Sequence, residues 1–284
     1  AKTSYFEELC YNRNLVIKLY PVFRMFVKNM MEVLKKDFKD RASLIEYVKT
    51  LAPWGEGDVS QTRGGRDNAI EKLKKIDPEN YGSTRNFGNG AVTRLSPYIH
   101  HGILTLNDVR NHALSIAKSD NTTRKYIQEL AWRDFWQRVA EMHPTWLWND
   151  VEAYKTGYTA KDYAKKLPSD ILNGTTGTGC IDIFISNLIG SGYLHNHARM
   201  YLASYIVHFR RIKWQAGAQW FLEQLIDGDE ASNNFSWQWV ASTFSNKPYI
   251  FNLENVQKYF GDCIDTSACN NIFLNAAYPP ISST

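Results

Sequence analysis

Apolar residues recur three and four positions apart along most of this chain, the spacing that gathers them on one face of an α-helix. Residues 20–38 ("YPVFRMFVKNMMEVLKKDF"), 68–76 ("NAIEKLKKI"), 126–142 ("YIQELAWRDFWQRVAEM"), 181–194 ("IDIFISNLIGSGYL") and 200–214 ("MYLASYIVHFRRIKW") all follow it. Period-two alternation bounded by turn residues is hard to find, so little is available to build a sheet. The expected fold class is all-α. Gly- and Asn-rich stretches at 55–65, 80–92 and 173–179 read as loops between helices. No internal repeat is visible, and after about residue 260 the periodicity fades into an irregular tail. The expected organisation is a helical lead-in over 1–60 and one helical domain over 61–284.

Composition removes several classes of function. With 284 residues, 44% hydrophobic and 14% aromatic, the chain can bury a sizeable core. A net charge of +4 permits a polyanionic partner without requiring one. No apolar run approaches the roughly 18–20 residues of a membrane span. The first residues, "AKTSYFEELCYNRN", lack the basic-then-apolar layout of a secretory signal. An intracellular protein without a membrane partner is expected. Cys10, Cys180, Cys263 and Cys269 form no Cys-x-x-Cys pair, which argues for reduced, mostly buried thiols and against structural zinc.

Chemistry concentrates in four stretches. In "VTRLSPYIHHG", Thr93, Arg94 and Ser96 offer donors to a phosphate, Pro97 suits a first helical turn, and Ser96 suits a cap; an ordinary helix start would read the same way. In "ELAWRDFW", Glu129, Trp132 and Arg133 fall at i, i+3 and i+4 and share a helix face. That set can grip a planar polar ligand, or be a surface ion pair beside a core tryptophan. In "YLHNHARM", Asn196, Arg199 and Met200 share a face, whereas His195 and His197 point apart, so no metal site is expected. In "LIDGDEASNNFSWQW", a helix running on past Gly228 would put Asp229, Asn233 and Trp237 in one stripe. Carboxylate, carboxamide and indole in line suit a heteroaromatic cofactor or a polar network inside a bundle.

In this order, "YGSTRN", "TRLSPYIHHGIL", "ELAWRDFW", "GSGYLHNHARM" and "LIDGDEASNNFSWQWVAS" resemble the FAD-binding helical domain of the photolyase/cryptochrome family, from about Gly64 to about Tyr259. The resemblance implies bound FAD. Tyr81, Thr93, Arg94, Leu95, Ser96, Tyr126, Arg133, Asn196, Arg199, Asp227, Asp229 and Asn233 would hold it, with Asn233 facing flavin N5. It also implies DNA carrying pyrimidine dimers as substrate, met by Arg85, Glu129, Trp132, Arg133, Met200 and Trp239. Glu129, neutralised by burial, and Asn196 would serve the reaction, and Trp237 and Trp214 would relay electrons to the flavin. The outer relay member has no clean match; Tyr158, Tyr163 and Trp220 stand as alternatives.

Departures from the family pattern refine these expectations. Residues 1–60 do not resemble the family's α/β antenna domain, which suggests an antenna-less, monomeric member. His197 and Tyr193 stand where many photolyases carry Arg and Trp, which weakens one phosphate contact and points to single-stranded DNA. Asn255 or Gln257 would replace another DNA contact. Asn196 and Met200 occupy positions that are histidines in (6-4) enzymes, so the cyclobutane dimer is the expected lesion. Light-driven repair is the leading reading. A cryptochrome-like photoreceptor is the alternative, disfavoured by Asn233, since plant photoreceptors typically place an aspartate there.

Overall fold

A computed structural model describes residues 33–55 and 59–275. The expected helix over 20–38 and Cys10 fall largely or wholly outside the described residues; 33–38 are not helical. Contacts divide the chain into Ala1–Gly57 and Asp58–Thr284. In the first unit, α1 (Arg41–Leu51) starts at a capping box in which Asp40 accepts from the Ser43 N–H at 2.8 Å.

The second unit is helical, and its described residues hold no strand, only an isolated parallel bridge between Ala164 and Ile212. Its first helices are α2 (Arg66–Lys74), α3 (Pro78–Thr84), α4 (Ser96–His100) and α5 (Leu106–Ile116). α6 (Asp120–Met142) follows, 23 residues and about 34 Å long. It ends at His143 because Pro144 bars the preceding residue from helical geometry (φ −133°, ψ 64°). Beyond come α7 (Ser169–Asn173), α8 (Gly179–Ser191), α9 (Asn196–Ser204), α10 (Trp214–Gln224), α11 (Glu230–Ala241), α12 (Leu253–Phe260) and the short α13 (Ile272–Asn275).

The largest apolar cluster lies among α8 to α12, around Phe184, Tyr201, Trp214, Phe221 and Trp237. A second joins α2, α4 and α5 to Tyr126 of α6. A third, smaller one packs Val139 of α6 against Ala231 and Phe235 of α11.

Several expectations need correction. Residues 80–84, read as loop, belong to α3, which Asp77 caps through the Asn80 N–H at 3.1 Å with Pro78 in the first turn. The helix expected over 200–214 breaks into α9, a π-turn at Tyr205–Phe209 and an extended stretch before α10. Leu95, not Ser96, occupies the cap position of α4. The tail still forms short helical turns at Ala268–Asn270 and α13. Cys180 is buried, which pushes its thiol up to about 12, but Cys263 and Cys269 are exposed free thiols.

Candidate cofactor and substrate site

Two ion pairs tie the chemistry-bearing stretches together. Arg199 Nη2 donates to both carboxylate oxygens of Asp227, at 3.0 and 2.9 Å, and its Nε donates to the Leu194 carbonyl at 2.8 Å. The Ser96 hydroxyl donates to the same carboxylate at 2.5 Å. Ser96 therefore serves a residue 131 positions away rather than its own helix end. Asp227 is 2% exposed at its side chain, so these donors are what make burial of its charge tolerable.

Asp229 makes the second set. Its carboxylate accepts from Arg133 Nη2 at 3.1 Å, from Gln137 Nε2 at 2.7 Å, and from the Ser232 N–H at 2.8 Å. Burial pushes this carboxyl up, but the Ser232 hydrogen bonds, the Arg133 charge and Gln137 outweigh it and hold the group below its usual range. His100 Nδ1 lies 3.8 Å away, and burial followed by repulsion from His101 keeps its imidazole down. The expected stripe is modified here: Asp229 is the N-cap of α11, ahead of its first helical residue, and Asn233 and Trp237 follow on the helix. The Asn233 amide donates to the Ala218 carbonyl at 3.0 Å and to Asn234 Oδ1 at 2.9 Å.

Arg94 adopts a left-handed backbone (φ 51°), a conformation that costs energy for a non-glycine residue. Its guanidinium lies 5.4 Å from the Tyr193 ring centroid, and Arg199 lies 5.5 Å from the same ring. Tyr81 and Tyr126 meet edge-on at 4.9 Å. Burial pushes each phenol up to about 12; Glu129 adds to the effect at Tyr81, and the Thr93 hydroxyl opposes it at Tyr126. Tyr126 Oη nevertheless lacks a well-formed hydrogen bond. Leu95 is buried beneath this group. Cations, hydroxyls, carboxylates and an amide of this kind fit a cofactor with a diphosphate and a hydrogen-bonding ring edge, as FAD has.

The expected substrate residues lie on α6, α9 and α11 and, for Arg85, at the C-cap of α3. Trp132 is 43% exposed and Trp239 41%, unusual for indoles in a chain with this much core. The Asn196 amide lies 4.0 Å from Met200 Sδ, so those two do meet. Glu129, expected to be buried, is partly exposed, and its Oε1 meets Lys125 Nζ at 2.8 Å and Arg85 Nη1 at 3.3 Å. Lys125 did not stand out in the sequence. His197 is buried, bonded to the Asn86 carbonyl at 2.9 Å and to Tyr249 Oη at 3.3 Å, and burial holds its imidazole down. Asn255 Oδ1 accepts from Tyr201 Oη at 2.6 Å, and the exposed Gln257 donates to the Thr266 carbonyl at 3.1 Å.

Trp237 is buried against α10, its ring seated where Gly217 has no side chain. Trp214 is also buried, and its indole N–H donates to Asp150 at 2.6 Å. The residue stacked on Trp214 is Trp148, with centroids 6.4 Å apart and planes 11° apart. Trp148 is half-buried, and its N–H donates to Glu230 at 2.5 Å. Of the three sequence alternatives, Tyr163 stacks on Tyr154 at 4.4 Å, Tyr158 accepts from Arg211, and Trp220 packs on Phe221.

Comparison with known proteins agrees with this geometry. The family model for the FAD binding domain of DNA photolyase matches residues 126–265. A deoxyribodipyrimidine photo-lyase of Streptomyces griseus is 32% identical over 54% of this chain and 32% of its own. One from Alkalihalophilus pseudofirmus is 30% identical over 70% of this chain and 43% of its own. Thus the chain spans less than half the length of these curated relatives. A bacterial class III photolyase from Agrobacterium tumefaciens superposes with a TM-score of 0.60 at 28% identity, over 70% of this chain and 43% of that one. A Synechocystis cryptochrome shares the fold, with a TM-score of 0.64 at 23% identity, over 78% and 50% of the two chains. With the Arg199–Asp227 and Arg133–Asp229 pairs set in that helical framework, the chain belongs to the photolyase/cryptochrome family through its FAD-binding domain.

Proposed function

We propose that this protein splits cyclobutane pyrimidine dimers in DNA under light, with single-stranded DNA preferred. One observation carries the reading. The two exposed indoles, Trp132 and Trp239, ride on α6 and α11, the helices joined by the Arg133–Asp229 pair. Substrate-facing rings and cofactor-side charges thus share two rigid elements. Held by Arg94, Ser96, Arg199, Asp227, Asp229 and Asn233, a reduced FAD would supply light-driven one-electron chemistry that consumes no net electrons. The chain's own part is to grip and polarise. Trp132 and Trp239 offer stacking faces to an unpaired base. The Asn196 amide offers hydrogen bonds to base carbonyls, and Glu129 lies one helical turn from Trp132. Met200 cannot donate a proton, and His197 is bound inward, which favours the cyclobutane lesion over one needing an acid. The buried, uncharged imidazole of His197 also leaves one cation fewer for duplex phosphates. The stacked pair Trp148–Trp214 and the inner Trp237 form the path by which an external one-electron donor recharges the site.

The test illuminates the reduced, FAD-loaded protein with oligonucleotides carrying one defined lesion, single- or double-stranded at matched salt. Restored pyrimidines from the cyclobutane substrate, faster on the single strand, are expected. Repair of only the (6-4) lesion, or of none, would overturn the reading; equal rates on both strand forms would remove the strand preference.

A further inference from the structure

Two cations converge on one carboxylate oxygen at the edge of this face. Lys125 Nζ sits 2.8 Å and Arg85 Nη1 3.3 Å from Glu129 Oε1. The side chains are 37%, 24% and 26% exposed, so solvent and a solute reach all three. Their arrangement is imposed by the backbone. Lys125 and Glu129 are one turn apart on α6, while Arg85 is the C-cap residue of α3. α3 lies tightly on α6 because Gly82 has no side chain: a Cβ there would come within 3.3 Å of Lys125 Cβ. One carboxylate against two cations leaves a positive excess. All three side chains reach solvent, so the carboxylate can be exchanged for another anion.

We propose that Lys125 and Arg85 form a phosphodiester clamp whose resting occupant is Glu129, displaced when a nucleic-acid backbone binds. A nucleotide presents a phosphate and a flat base. The clamp stands beside Trp132, an exposed indole three residues beyond Glu129, with about 10 Å of helix between Lys125 and Trp132. Trp132 stacks on Trp136 at 5.5 Å yet stays 43% exposed, and cations next to an exposed aromatic are what a single strand needs. An acidic protein partner would find no use for the ring, and a free phosphate would use only the cations. The exchange also gives Lys125 a role: it takes the phosphate that would otherwise face an intact carboxylate, and frees Glu129 to turn toward the base.

The clamp rests on the reading that nucleic acid is the substrate, but not on flavin chemistry. It is therefore tested in the dark, with dye-labelled, undamaged oligothymidylate and fluorescence anisotropy over a salt series. Lys125→Gln should weaken binding about fivefold at low salt and reduce the salt slope by about 0.7, the share of one single-strand phosphate contact. Glu129→Gln should tighten binding a few-fold, because the competing charge is gone. Glu141→Gln, an exposed change elsewhere on α6, should do neither and controls for overall charge. Wild-type binding with Lys125→Gln unchanged in affinity and slope, or Glu129→Gln no tighter than Glu141→Gln, would overturn the clamp alone. Failure of the wild type to bind any oligonucleotide would overturn the clamp and the substrate reading together. Melting temperatures of each variant separate a lost phosphate contact from a lost fold.

Discussion

Arg199→Ala would strand the Asp227 carboxylate, keeping Ser96 but losing the guanidinium whose Nη2 donates to both of its oxygens. Leaving a buried charge without its partner costs about 3–5 kcal/mol. A lower urea midpoint and loss of visible flavin absorbance per protein are expected, and a variant that keeps both would show that Asp227 is held by other means. Trp148→Phe should slow light-driven reduction of oxidised flavin strongly, whereas Tyr158→Phe and Trp220→Phe leave it near wild type; transient absorption of the tryptophan signal decides. Trp237→Phe should block the same reduction while sparing repair by chemically reduced protein. Most site residues were legible because their motifs are dense: "LIDGDEASNNFSWQW" cannot fold without partners for its carboxylates and amides. Trp148 was not legible. It lies between a 3-10 turn and an irregular loop, where no period applies, and its stacking on Trp214 joins residues 66 apart through tertiary packing alone. Lys125 was passed over for a related reason, since an i, i+4 Lys–Glu pair reads as ordinary helix surface until α3 brings Arg85 to the same oxygen.

At the scale of elements, Gly217 sets how closely α10 and α11 approach. An added Cβ would lie 2.2 Å from Trp237 Cη2 and 2.5 Å from Cζ3, both backed by packed core. Gly217→Ala should therefore cost about 1–3 kcal/mol by overpacking and shift the Trp237 ring, read as a lower denaturation midpoint and altered photoreduction kinetics. The long helices were legible from period alone, α6 above all. The short ones were masked by composition: the Gly, Ser, Thr and Asn of α3 read as loop, although Asp77 and Pro78 just ahead of it carried a start signal. Ser96 misled in the opposite direction. A hydroxyl before proline suits a cap, but the buried Asp227 carboxylate is the stronger attraction, and sequence proximity says nothing of a partner 131 residues away.

For the whole molecule, buried imidazoles set the response to acid. Burial first, then in the case of His195 its neighbour His197, holds His195 and His208 at about 4. Their unfolded value is about 6.5, so between pH 6.5 and 4 the unfolded chain binds more protons and stability falls as pH falls. Each group costs on the order of 3 kcal/mol of stability by pH 4 and nothing above neutrality. Thermal melts from pH 7.5 to 4.5 should show this decline, and a flat profile would mean that these rings are reached by water in the folded state. The helical framework was visible in the sequence, but the organisation around the π-turn at Tyr205–Phe209 was not, because its residues keep an apolar pattern through the break. The attachment of Trp148 has one more consequence. Its N–H is held by Glu230, the first residue of α11, and Trp237 stands two turns along the same helix, while Trp214 belongs to α10. A shift of α11 relative to α10 would act on Trp148, through Glu230, and on Trp237 together. If these indoles carry electrons to the flavin, the two gaps would vary together, and a ligand pressing on one end of that helix would tune both at once.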